Sequence, residues 1–157
     1  METKIDALIT KMERSRSRLN AALDKITPQA EIYPSWKVKQ IMDHITGWDD
    51  LVISSLRLYQ KGETPARSVL NIDQYNAGSV SARLSLTPEQ SRRAFDATRL
   101  EVIQTLREIP PTMIDQKFTA PWGGQCTISS IVRIFVSHEQ EHAKQIEEVL
   151  IKQTASH

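Results

Sequence analysis

Between Ile128 and Val149 the chain places Ile128, Ile131, Phe135, His138, His142, Ile146 and Val149 at steps of three or four residues. That spacing keeps one side of an α-helix facing inward. A helix is therefore predicted from about Thr127 into the C-terminal tail, and two imidazoles stand on it where leucines usually go. Residues four apart stack one turn above each other, so His138 and His142 can present two nitrogens to one divalent ion. His44 falls on a second inward stripe, Ile41, His44, Trp48, Leu51, Ser55 and Leu58. Three of the four histidines thus occupy core-facing positions, and the fourth, His157, is terminal. A single inward histidine is usually a hydrogen-bonded packing residue, and an H-x-x-x-H spacing alone is a weak signal. Three buried imidazoles would each need a polar partner, however, and one shared cation satisfies all of them.

Three further helices are legible. The first spans about residues 3 to 25, with Ile5, Leu8, Met12, Leu19, Leu23 and Ile26 at helical spacing, and stops at Thr27-Pro28 because proline disfavours helix for the residue before it. The second is predicted to begin at Ser35 as N-cap and to end at Lys61-Gly62, where glycine suits a left-handed cap. The third opens at Thr87-Pro88-Glu89-Gln90, which reads as an N-cap, a first-turn proline and a capping-box glutamine. Its inward set is Phe95, Thr98, Val102, Leu106 and Ile109, before Pro110-Pro111 ends it.

The connections are uneven. The stretch from Gly62 to Thr87 is long for a turn and suits a crossover along a helical bundle, with a helical piece of its own near Asn71-Ile72-Asp73-Gln74-Tyr75-Asn76. Residues 110 to 127 read as a small hairpin around Trp122-Gly123-Gly124. The expectation is an all-α fold, a four-helix bundle with its long crossover between helices two and three, in a single domain over residues 1–157.

Could the three histidines meet at one height? His44 lies about 13 Å along its helix, and the midpoint of His138 and His142 lies about 18 Å from either end of theirs, at 1.5 Å per residue. The levels agree within a turn, whether the two helices run parallel or antiparallel.

A hydrophobic fraction of 39% and a charged fraction of 25% suit an ordinary globular chain. The 20 basic and 19 acidic residues leave a net charge of +1, which gives no electrostatic case for nucleic acid or an anionic membrane surface. No nucleic-acid partner and no membrane partner are therefore expected. The first twenty residues mix charged and apolar side chains without the continuous apolar core of a signal or spanning segment. With one cysteine, Cys126, no internal disulfide forms, and a cytoplasmic location is expected.

The Ser35-to-Trp48 segment with His44, the Asp73-Gln74-Tyr75-Asn76 stretch and the closing His138-Glu139-Gln140-Glu141-His142 resemble the DinB-like superfamily over nearly the whole chain. That superfamily includes DinB and YfiT proteins and thiol-dependent S-transferases. The resemblance implies a four-helix bundle in up-down-down-up order, with His44, His138 and His142 as ligands of a divalent zinc, nickel, manganese or iron ion. It implies a hydrolase or a low-molecular-weight-thiol S-transferase acting on a small electrophilic substrate, and it admits a homodimer. A non-catalytic binding or self-resistance protein is the alternative. One self-resistance group lacks the metal, and the intact triad argues against that group, although the Trp36 and Trp48 motif looks much like theirs.

Three protein nitrogens would leave coordination positions open, the mark of a catalytic metal site. No catalytic residue beyond the ligands is singled out. Asp43, Glu139 and Glu141 neighbour the ligands in sequence, but adjacent helical residues point about 100° apart, so they are expected on a solvated face, the alternative being that one accepts a hydrogen bond from the far nitrogen of an imidazole on a different helix. Cys126 is expected as a packed thiol. Trp48, Tyr75 and Trp122 are the candidates for a substrate pocket, since Tyr75 and Trp122 lie in the two long connections, where binding residues concentrate.

Overall fold

The computed structural model describes residues 2–155; His157 lies outside them. In chain order it consists of α1 (Lys4–Lys25), β1 (Glu31–Tyr33), β2 (Trp36–Lys37), α2 (Val38–Gln60), α3 (Ile72–Ser81), α4 (Pro88–Arg107), a short 3-10 turn (Pro111–Met113), β3 (Phe118–Thr119), β4 (Gln125–Cys126) and α5 (Ile128–Ala155). The chain divides into two compact units: residues 1–41 with 132–157, and residues 42–131.

In the first unit, α1 starts on a capping box. The Thr3 hydroxyl accepts from the Asp6 N–H, and the Asp6 carboxylate accepts from the Thr3 N–H, both at 3.1 Å. These bonds satisfy two amide donors at the helix start, which lack intrahelical partners. The predicted inward residues of α1 are buried, Leu19 completely, and the helix ends at Ile26, just before Thr27-Pro28. Between α1 and α2 the structure departs from expectation. Ser35 is not an N-cap: it sits in the turn of an antiparallel hairpin with φ +73°, its N–H donating to Glu31 Oε1 at 2.7 Å. Two strands this short carry no alternating pattern to recognise. Helix α2 opens instead with the Lys37 N–H donating to Gln40 Oε1 at 2.8 Å.

In the second unit, Gly62 adopts φ +80° and closes α2 as predicted. The Glu63 N–H reaches Leu58 O and the Gly62 N–H reaches Tyr59 O, both at 3.0 Å, the paired bonds that satisfy the last carbonyls of a helix. The inward face of α2 is broader than the predicted stripe. Ile41, His44 and Ser55 are buried, but Leu58 is 40% exposed, while Ile45, Val52, Leu56 and Tyr59 fill the interior. The long connection does hold a helix, α3, capped by Asn71 Oδ1 accepting from the Gln74 N–H at 2.9 Å. Helix α4 begins on the expected box, with Thr87 and Gln90 bonding reciprocally at 2.8 and 3.1 Å. The predicted hairpin pairs Phe118 with Cys126 and Thr119 with Gln125, and both turn glycines have positive φ. No described helix is long and apolar enough to cross a membrane.

Candidate metal centre and aromatic cluster

Thr127 and Ser130 start α5 with a reciprocal side-chain cap, at 2.8 and 3.2 Å. From there the helical period carries His138 to a half-buried position and His142 to a buried one. Their Nε2 atoms approach to 2.9 Å and the rings meet edge to face. His142 Nδ1 lies 3.0 Å from Gln145 Oε1 and 3.4 Å from the Tyr33 hydroxyl. Tyr33 comes from β1, so the unforeseen hairpin is what delivers it. Burial holds the His142 imidazole below its ordinary pKa, against the opposing pull of Gln145, Glu141 and Glu139, and burial raises the Tyr33 phenol. His142 is thus kept neutral, the form that ligates a metal. On α2, His44 is buried.

The carboxylates beside these histidines were expected on a solvated face, and two are not there. Asp43 and Glu139 are each 1% exposed; only Glu141 is exposed. Glu139 accepts from Arg16 Nε at 2.6 Å and from the Ser15 hydroxyl at 3.3 Å. A second buried pair joins Asp49 to Arg99 at 3.1 Å, with the Thr98 hydroxyl also donating to Asp49. Sequence reasoning missed these pairs because a charged residue reads as solvent-facing unless its partner, far away in the chain, is known.

The three pocket candidates meet within the second unit. Trp48 stands one turn past His44 on α2. Its ring centroid lies 4.9 Å from that of Tyr75 and 5.9 Å from that of Trp122. Its indole N–H donates to Asn76 Oδ1 at 2.7 Å, and the Tyr75 hydroxyl donates to the Gly47 carbonyl at 2.6 Å. All three rings remain partly exposed. Gly47 permits this approach: a Cβ there would lie 2.2 Å from Ser79 Oγ. Cys126 is buried, and burial pushes its thiol up to about 11. It is the packed thiol the sequence suggested.

Residues 11–146 match the DinB superfamily. The chain belongs to that superfamily. Among curated proteins none matches the sequence. Among solved structures, this DinB protein is similar to a mycothiol-dependent maleylpyruvate isomerase, with a TM-score of 0.77 at 11% identity over 92% of this chain and 61% of the other. The chain therefore spans about six tenths of that enzyme's length. It is also similar to the colibactin self-resistance protein ClbS in complex with a dsDNA, with a TM-score of 0.77 at 15% identity over 93% and 94% of the two chains. An uncharacterised protein from Escherichia coli UTI89 has a TM-score of 0.75 at 13% identity over 98% and 96%. These likenesses bear out the all-α, DinB-like fold. They also overturn the exclusion of nucleic acid, since a protein of this fold is crystallised with dsDNA. Net charge is a sum over the whole chain, whereas a duplex responds to the local arrangement of cations, so a balance near zero excludes nothing.

Proposed function

We propose that His44, His138 and His142 hold one divalent ion and that this DinB protein is a metal-dependent enzyme acting on a small electrophilic compound. The observation that supports the reading is the approach of the His138 and His142 Nε2 atoms to 2.9 Å on one face of α5, with a third buried imidazole, His44, on α2. An all-imidazole set suits zinc, nickel or iron better than manganese, which favours oxygen ligands, and three protein ligands leave room for a further one. When bound, such an ion supplies a Lewis acid that acidifies a water or a small thiol. The chain contributes a neutral His142, and it contributes no thiolate of its own, because the only cysteine is buried with its thiol pushed up to about 11. Thiol chemistry here therefore calls for an external low-molecular-weight thiol, as in the mycothiol-dependent relative of the same fold. Hydrolysis is the other arm. Trp48, partly exposed and in contact with both Tyr75 and Trp122, is proposed with them as the apolar surface for the substrate.

Metal analysis of protein purified without a histidine tag tests the first half. Near-stoichiometric metal in the wild type and its loss in the triple alanine variant are expected; equal content in both would sink the site. Protein loaded in turn with zinc, nickel, manganese and iron is then assayed on haloarene and epoxide electrophiles with bacillithiol, mycothiol, glutathione or no thiol. Turnover only with a thiol supports transfer, and turnover without one that rises with pH supports hydrolysis.

A second reading rests on ClbS, whose likeness covers nearly all of both chains: a self-resistance or DNA-binding protein. Retarded migration of a dsDNA fragment by wild type and triple alanine variant alike, with no turnover in the thiol panel, would favour it.

A further inference from the structure

Gln145 lies one turn beyond His142 on α5, and its amide links two groups. Its Oε1 is 3.0 Å from His142 Nδ1, and its side chain is also hydrogen-bonded to the Tyr33 hydroxyl. An amide oxygen only accepts, so the Nδ1 it faces carries the proton. The Gln145 NH2 group is then left to donate to the Tyr33 oxygen, and both ends of the amide are used. His142 in this form has its lone pair on Nε2, the atom 2.9 Å from His138 Nε2.

We infer that Gln145, supported by Tyr33, is a positioning residue that fixes His142 as the Nδ1–H tautomer and so presents the Nε2 lone pair as a ready metal ligand. The metal half of this inference rests on the reading of the triad as a metal site; the tautomer half does not, because it concerns the protein without metal. Such partners on the far nitrogen of a ligand typically govern 10–100-fold in metal affinity.

The experiment uses full-length, metal-free protein labelled with 15N-histidine, with long-range 1H–15N correlation spectra at a pH where both rings are neutral. The expected result is a protonated Nδ1 at His142. Wild-type spectra showing His142 protonated on Nε2 would overturn the inference outright, whatever the metal results say. In Gln145→Leu the acceptor is gone and the Tyr33 hydroxyl remains near Nδ1 as a donor, so His142 should move toward the Nε2–H form, and zinc affinity measured by chelator competition should fall about 10–100-fold. Gln145→Glu keeps an acceptor and should restore both the tautomer and the affinity. An unchanged tautomer in Gln145→Leu would show that Gln145 does not set it. A shifted tautomer in protein that binds no zinc even as wild type would leave the positioning role standing and remove the metal reading instead. If Gln145→Leu fails to fold, the wild-type and Gln145→Glu spectra still decide.

Discussion

Helix α3 buries only Ser79 among its ten residues, whereas α5 buries Ile131, Val132, Phe135, Ala143 and Ile146 together with Glu139 and His142. What holds α3 is mostly polar: the Tyr75 hydroxyl on Gly47 O, Asn76 on the Trp48 indole, and Arg83 bridging Ser79 O and Asp50 at 2.8 Å each. Helix α5 is fixed by apolar burial and by a charge pair that exists only in the folded interior. The difference teaches that the two helices should fail differently. Loss of a contact in α5 should weaken the whole cooperative unit, and loss of one in α3 should loosen that helix alone, because a helix with little buried area opens at low free-energy cost.

Glu139→Ala is the strongest way to break this contrast. It removes the carboxylate that Arg16 Nε meets at 2.6 Å in the interior, and such losses cost about 3–5 kcal/mol; urea unfolding should show the drop in global stability. The double variant Arg16→Met/Glu139→Leu should regain most of it, since apolar replacement of a buried pair is often neutral. A loss in Glu139→Ala under about 1 kcal/mol would mean that the pair is only a surface-like contact.

Gly47→Ala tests the α3 side. The new methyl meets Ser79 Oγ at 2.2 Å and Ser79 Cβ at 2.6 Å, so α3 must shift, at about 1–3 kcal/mol. Hydrogen exchange should quicken in α3 and stay slow in α4, and Ser79→Gly should rescue it. Fast exchange throughout the second unit would erase the distinction between the two helices.

A smaller effect follows from the depressed His142 pKa. At pH values below the unfolded-state value of 6.5, the unfolded chain takes up a proton that the folded one resists. Stability is thus fully present above about pH 6.5 and falls as the pH drops through the folded-state value, by at most about 1.4 kcal/mol per unit. Metal-free wild type and His142→Gln, compared by urea unfolding from pH 5 to 8, should differ in slope in that acid window and run parallel above it. The smallest change is Tyr75→Phe, which removes one hydrogen bond worth about 0.5–1.5 kcal/mol and should raise exchange in α3 without altering the global midpoint.

Much of this was legible because helices advertise themselves. The Thr87-Gln90 box, Gly62 as a cap, the glycine turn at 123–124 and the placement of His44, His138 and His142 on apolar stripes all follow from local rules. What escaped depends on partners distant in sequence. The β1–β2 hairpin is too short to carry a pattern, so Tyr33 had no route to His142, and Ser35 looked like a cap when it was a turn residue. The partners of Glu139 and Asp49 lie 123 and 50 residues away, beyond any local rule. Gln145 was within reach: residues three apart on a helix are neighbours, and His142 with Gln145 obeys that spacing.

The aromatic cluster has an optical consequence. Of the three tryptophans, Trp48 and Trp122 form an edge-to-face pair at 5.9 Å, while Trp36 lies beside Tyr33 in the hairpin at 5.8 Å. Two indoles that close, held at a fixed angle of 66°, couple their strong far-ultraviolet transitions and give a paired dichroism band of opposite signs that weakens when either ring is set free. The molecule thus carries its own unlabelled gauge of the proposed substrate surface. Phenylalanine at position 36 leaves that band in place and removes the hairpin's share of the emission, so the two signals separate by colour and handedness without a dye.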